Sequence, residues 1–314
     1  MNRLTRRQAL AASAALPAAA ALPFALPRAA RAQGEAAQNG PAAAARGALH
    51  RTHRLGDAEV ITLLDMSRQT PDPHSIFGLN VDEATFEEAS REGFIPSDTA
   101  MFFFTPVLVR AGGNLVLFDT GLGQGGLQRA LDDAGASPEE VTHVVLTHMH
   151  GDHIGGLMTD GAPTFEGAEH VAGEAEMNYW SENPNDAVTA NVLPLKDRFR
   201  LIGDGAEVAP GITSMAAFGH TPGHMTYRID DGDASMLIFG DTANHHVWSI
   251  GHPDWEVKFD MDKSAAAETR RRVLDMLAAE RMAMTGYHMP FPGSGFVEAA
   301  GDGYRWVPTS YQFM

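Results

Sequence analysis

The feature that most constrains this chain is the run His148-Met149-His150-Gly151-Asp152-His153, four potential metal ligands in six residues, directly after the β-branched stretch Val141 to Leu146. In an extended segment, side chains two residues apart fall on the same side, so His148 and His150 can converge on one cation. A turn through Gly151 then brings Asp152 and His153 toward a second position. Three further candidates sit at the ends of strand-like runs: His220 in Gly219-His220-Thr221-Pro222-Gly223-His224, Asp241 in Phe239-Gly240-Asp241, and His288 in Gly286-Tyr287-His288. Strand ends are where a rigid scaffold presents functional side chains on short loops. The chain has no cysteine, so any metal site is built from nitrogen and oxygen ligands. That donor set suits zinc, manganese, iron or cobalt alike.

The surrounding sequence supplies an ordinary globular frame. Ala58 to Leu64 reads as a strand and Asp82 to Arg91 as a helix inside a long polar and aromatic excursion, Asp65 to Thr99, of the kind that covers a site. Met101 to Arg110 reads as one apolar strand, returning through Ala111-Gly112-Gly113-Asn114 into Leu115 to Phe118. Helical spacing follows over Gly126 to Ala134, and further short strands over Glu169 to Ala172, Thr213 to Ala217, Met225 to Ile229 and Ser235 to Phe239. A helix is expected from about Lys263 to Glu280, with Val273, Leu274 and Leu277 on one face. Two such halves suggest two sheets between helical layers.

The N-terminus carries Thr5-Arg6-Arg7-Gln8-Ala9-Leu10, an Ala- and Leu-rich stretch interrupted by prolines, and a small-residue Ala30-Arg31-Ala32 end. This pattern is that of a twin-arginine export signal over residues 1–32, with a periplasmic or secreted destination. Residues 33–48 read as a flexible leader and 49–314 as the single folded domain. Removing residues 1–32 takes away five arginines and no acids, so the mature net charge is −22 against −17 for the whole chain. Such acidity excludes nucleic acid and anionic membrane as expected partners. No stable membrane anchor is expected after cleavage, and the expected partner is a small-molecule substrate.

With these motifs in place, the chain resembles the metallo-β-lactamase superfamily over nearly its whole mature length. The resemblance implies an α+β fold, an αβ/βα four-layer sandwich of two mixed β-sheets flanked by helices. It implies two divalent metal ions, zinc before manganese, iron or cobalt. One would be held by His148, His150 and His220, the other by Asp152, His153 and His288, with Asp241 and a hydroxide bridging them. Asp119 would orient a ligand imidazole by accepting its other N–H, and Asp152 would carry the catalytic proton. The nearest likeness is to methyl parathion hydrolase-like and acyl-homoserine lactone lactonase-like members. It runs through Gly155-Gly156-Leu157-Met158, the Gly219 to His224 loop, His288 to Gly293 and Gly303 to Pro308. Homodimerisation follows from that likeness alone.

The implied activity is hydrolysis of a small neutral ester, lactone or phosphotriester, with β-lactamase activity, or a catalytically inert metal- or ligand-binding protein of the same fold, as rivals. Asn244 stands where Bacillus-type lactonases carry a tyrosine. Phe77, Phe296 and Trp180 are candidate pocket residues together with Asn244, whereas Phe102 and Phe104, alternating along one strand, are expected in the core. His143, His170, His224 and His252 are read as scaffold, and His245 and His246 as a solvated loop.

Overall fold

The computed structural model describes residues 48–309; the export signal and leader assigned to residues 1–32 and 33–48 lie, but for Ala48, outside the described residues. Two seven-stranded mixed sheets carry the fold. The first comprises, in spatial order, β1 (His50–Leu55), β2 (Ala58–Leu63), β5 (Val107–Ala111), β6 (Asn114–Phe118), β7 (His143–Val145), β10 (Glu169–Gly173) and β11 (Phe199–Ile202). The second comprises β12 (Glu207–Ala209), β13 (Ile212–Ala216), β14 (Met225–Asp231), β15 (Ala234–Gly240), β16 (Ala283–Gly286), β17 (Ser294–Ala300) and β18 (Gly303–Pro308). Two ribbons stand apart, β3 (Met66–Pro71) with β4 (Thr99–Phe104), and β8 (Met158–Thr159) with β9 (Ala162–Pro163).

Period-two alternation decides which core each strand side chain joins. Val107, Val109, Val116 and Phe118 face the second sheet and pack with Tyr227, Ile229 and Ile238. Their neighbours Leu108, Leu115 and Leu117 face the other way. There they meet helix α2 (Gly126–Asp133) and the segments α3 (Gly151–Ile154), α4 (Glu174–Glu182) and α5 (Asp186–Asn191). Helix α6 (Lys263–Glu280) covers the outer face of the second sheet through Val273, Leu274 and Leu277. Helix α1 (Glu83–Glu92), N-capped by Asp82, closes a fourth cluster over the β3–β4 ribbon. This is the four-layer αβ/βα sandwich.

One predicted strand divides. The apolar run Met101 to Arg110 breaks at Thr105-Pro106, because a proline has no N–H to give a ladder. Thr99–Phe104 pairs with Met66–Pro71 in a ribbon, and only Val107–Ala111 joins the main sheet. The break sends Phe102 and Phe104 to the rim of the domain. The C-terminal pair β17–β18 and a π-helix at His246–Gly251 carry no clear periodic signal in the sequence.

Candidate metal centre

The centre is assembled where β6, β7, β15 and β16 end. Asp119 follows β6 with φ +60°, and its carboxylate accepts from the Thr147 amide (2.8 Å), the Thr147 hydroxyl (2.8 Å) and His153 Nδ1 (2.8 Å). One buried acid thus ties the end of one strand to the start of the ligand loop after the next. His148, His153, His220, Asp241 and His288 are all buried.

All seven expected ligands converge. Three sets, His148/His150/His220, His148/His153/Asp241 and Asp152/His153/His288, each place their donor atoms within 4.8 Å of one another. Asp241 lies between them, with Oδ2 3.4 Å from His220 Nε2 and 3.2 Å from His288 Nε2, and Oδ1 3.4 Å from His153 Nε2. Asp152 Oδ2 reaches His288 Nε2 at 3.4 Å and His153 Nε2 at 3.6 Å. Asp152 is the carboxylate open to solvent, its side chain 23% exposed against 4% for Asp241.

The residues fit a pair of cations. His148 Nε2, His153 Nε2 and Asp241 Oδ1 are buried with no hydrogen-bond partner, and buried polar atoms are seldom left so without a ligand to satisfy them. Burial first, then the neighbouring imidazoles, drives His148 well below the usual histidine range, and burial with His220 takes His150 to about 3. Both are therefore neutral, the form that coordinates. Burial also opposes protonation of His153 and His288, but Asp241 and its neighbouring carboxylates outweigh it, raising His153 well above its ordinary value and His288 to about 10. The carboxylates here call for positive charge.

Three of the candidate ligand rings are held from behind. Asp119 backs His153, the Phe103 carbonyl accepts from His288 Nδ1 (2.8 Å), and Asp260 accepts from His220 Nδ1 (2.9 Å). Glu176 binds two ligand loops together: Oε1 accepts from the Met149 amide (2.8 Å) and Trp180 Nε1 (2.7 Å), and Oε2 from the Thr221 hydroxyl (2.7 Å) and the Gly223 amide (2.9 Å). Burial pushes the Glu176 carboxyl up while those four donors pull it down.

A cavity of about 450 Å³ opens onto Asp152, Asp241, His150 and His288, walled by Ile76, Phe102, Phe104, Leu122 and Phe259, with Arg68 and Thr70 as polar groups from β3. A family profile described as the metallo-beta-lactamase superfamily matches residues 105–283, more than half of the chain. The chain belongs to that superfamily.

Among its superfamily relatives, an N-acyl homoserine lactonase of Bacillus cereus is 24% identical over 154 residues, 48% of this chain and 57% of the relative. A second N-acyl homoserine lactonase, from a Bacillus species, is 28% identical over the same length and coverage. The matched region thus spans little more than half the length of these relatives. Among solved structures, the dizinc quorum-quenching lactonase AidC aligns with a TM-score of 0.76 at 24% identity, over 84% of this chain and 99% of that one. The hydrolase AbOPH, described as in the beta lactamase superfamily, aligns with a TM-score of 0.79 at 24% identity, over 85% and 99%. Those likenesses show the fold.

Several pocket expectations need correction. Phe77 is fully buried, packed against Phe102, His245 and Trp248 and absent from the cavity wall. Phe296 lines a separate depression with Ala278 and Arg281, because its place on β17 turns it away from the ligand loops. Trp180 lies behind His150, ring centroids 6.0 Å apart, with its indole N–H committed to Glu176. Asn244 is buried and donates to Asp241 Oδ2 at 2.8 Å, so it braces a ligand instead of facing substrate. Phe102 and Phe104 are buried in the fourth core cluster, as expected, and their rings also form cavity wall, packing edge-on against His288 at 5.7 and 5.3 Å. His245 is no solvated-loop residue: it is buried, stacked on Trp248 at 4.0 Å, and its Nδ1 accepts from the Val247 and Trp248 amides. His246 beside it is half-buried. His224 keeps its scaffold role, accepting from the Asp241 amide at 3.0 Å.

Asp260, Glu176 and Arg68 were not legible as site residues. None stands in a repeated or spaced ligand motif.

Proposed function

We propose that this chain is a dinuclear metal-dependent hydrolase of small neutral esters, with lactones and carboxyl esters as its main substrates and phosphotriesters as a secondary class. The observation that carries this reading is the position of Asp241, within 3.4 Å of both His220 and His288, between two ligand sets that open onto one apolar cavity. The homoserine lactonase relatives and the dizinc lactonase neighbour support the lactone assignment. When bound, two divalent cations, zinc first, would supply Lewis acidity toward a carbonyl or phosphoryl oxygen and acidify water.

The residues of the chain supply the rest. Ile76, Phe102, Phe104 and Leu122 exclude water and hold an acyl or aryl group. Asp152, partly exposed on the cavity side, accepts the proton lost by the attacking water and returns it to the oxygen of the breaking C–O or P–O bond. Asp241, braced by Asn244 and by the His224 contact to its amide, keeps the two ligand sets in register. Export across the inner membrane to the periplasm is part of the proposal, carried by Arg6-Arg7 and the apolar stretch that follows.

The test is a panel of a lactone, an aryl ester, a paraoxon-type phosphotriester and a chromogenic cephalosporin, run with metal analysis and an Asp241→Ala control. About two metals per chain, with lactone or aryl ester turnover abolished in the control, is the expected result. A fully metallated protein inert on all of them would overturn the hydrolase reading, and cephalosporin turnover above the others would reassign the substrate. Arg6→Lys/Arg7→Lys should abolish periplasmic recovery, and unchanged recovery would refute the export assignment.

A further inference from the structure

Behind His220 lies a buried ion pair that the proposed reaction does not use. Arg270, on α6, is completely buried, and its guanidinium is shared among three segments. Nη2 donates to Asp260 Oδ2 at 2.6 Å, Nε to the Thr242 carbonyl at 2.9 Å, and Nη1 to the Pro253 carbonyl at 2.8 Å and the Trp255 carbonyl at 3.3 Å. Asp260 uses its other oxygen, Oδ1, for His220 Nδ1 at 2.9 Å. With one oxygen committed to each partner, the carboxylate cannot rotate without breaking a charge-assisted bond.

The segment holding Asp260 is also stitched to the backbone of the ligand loop. The Met261 amide donates to the His220 carbonyl and the Asp262 amide to the Gly219 carbonyl, both at 3.0 Å. His220 is therefore gripped at ring and backbone by one short stretch, whose next helix returns Arg270 to the same carboxylate. Because Nδ1–H is given to Asp260, Nε2 carries the lone pair and faces His150 Nδ1 at 3.0 Å and Asp241 at 3.4 Å. The same guanidinium holds Thr242, the residue after Asp241. Only a planar, multiply donating side chain serves all these acceptors at once.

We propose that Arg270 and Asp260 are positioning residues that set how tightly the His148/His150/His220 position holds its cation, leaving the Asp152/His153/His288 position to Asp119. This rests on the dinuclear reading above. A carboxylate behind a ligand imidazole fixes its tautomer and raises its basicity, and removing such a partner weakens metal binding by roughly 10–100-fold. The positive Arg270 lets Asp260 stay ionised in a buried place without delivering surplus negative charge to the centre. Arg270→Ala would strand that charge and endanger folding, so it is not the diagnostic variant.

The experiment is zinc competition against a chromophoric chelator on the full chain, with thermal unfolding as the folding control. The variants are Asp260→Asn, Arg270→Lys, Asp119→Asn and the combined Asp260→Asn/Arg270→Met, which removes both charges together and so leaves no stranded guanidinium if Asp260→Asn alone unfolds the chain. Asp260→Asn and the combined variant are expected to weaken one of two zinc ions by about 10–100-fold, and Arg270→Lys by less. Asp119→Asn should weaken the other, so that Asp260→Asn/Asp119→Asn loses affinity at both. Wild-type affinity for both ions in Asp260→Asn or the combined variant would overturn the inference. So would Asp260→Asn and Asp119→Asn weakening the same ion. A wild-type chain that binds no zinc would instead overturn the metal reading, and this inference with it.

Discussion

Glu176→Gln tests whether the two ligand loops are held by one buried carboxylate. Glu176 accepts four hydrogen bonds, from Met149, Trp180, Thr221 and Gly223. Glutamine can keep its carbonyl oxygen on Met149 and Trp180 and turn its amide toward Thr221 and Gly223. The Thr221 hydroxyl can rotate to accept, but the Gly223 N–H can only donate, so one buried amide loses its partner. Stranding a buried donor costs about 1–3 kcal/mol, and for a domain of this size 1 kcal/mol lowers Tm by roughly 2–4 °C. A fall of about 5 °C is the central expectation. It should be measured by calorimetry after exhaustive chelation, since a ligand that binds only the folded state masks destabilisation. Glu176→Ala strands all four donors and leaves a cavity, so its loss should exceed about 4 kcal/mol. If Glu176→Gln melts within about 1 °C of wild type and binds zinc unchanged, the loops are held by something else.

Three other outcomes follow from the same geometry. Phe104→Ala removes a ring that packs edge-on against His288 and forms cavity wall; it should raise KM most for esters with long acyl or aryl groups, and an equal KM rise for acetyl esters would refute the wall assignment. Arg68, the one arginine or lysine among the cavity-lining side chains, sits over Phe104 at 5.6 Å, so Arg68→Ala should raise KM for esters bearing an anionic group while leaving kcat for neutral ones unchanged. His245 is held neutral, burial and then His246 lowering it well below the ordinary value. With the folded value depressed, its stabilisation is complete above the unfolded imidazole's pKa of about 6.5 and is lost as pH falls from there toward the folded value. His245→Asn should therefore make the loss of stability from pH 7 to pH 5 smaller by about 2 kcal/mol in all, read from urea unfolding at each pH, and an unchanged slope would refute it.

The ligands were legible because metal chemistry leaves a local trace. His148, His150, Asp152 and His153 sit in one short run, Asp241 follows the apolar strand β15, and His220 and His288 stand in the short runs Gly219 to His224 and Gly286 to His288. Asp119 was placed by the family resemblance, as the acid that closes the early hairpin. The residues that support them carry no such trace. Asp260 lies 40 residues from His220 and Glu176 lies 45 from Thr221, and an isolated acid looks the same whether it is solvated or buried against a ligand.

The sequence by itself determined the candidate ligand set, the main strands and helices, and the family, because these depend on residue type and on period along the chain. Tertiary structure decided which faces meet the cavity. Alternation places Phe102 and Phe104 on one face of a strand, but Pro106 frees that strand from the main sheet, and only the packing of the resulting ribbon over His288 turns the shared face into a wall of the cavity. It also decided what stands behind each imidazole, since Asp260, Arg270 and Glu176 act through distances that the folded sheets and helices create and the linear chain does not contain.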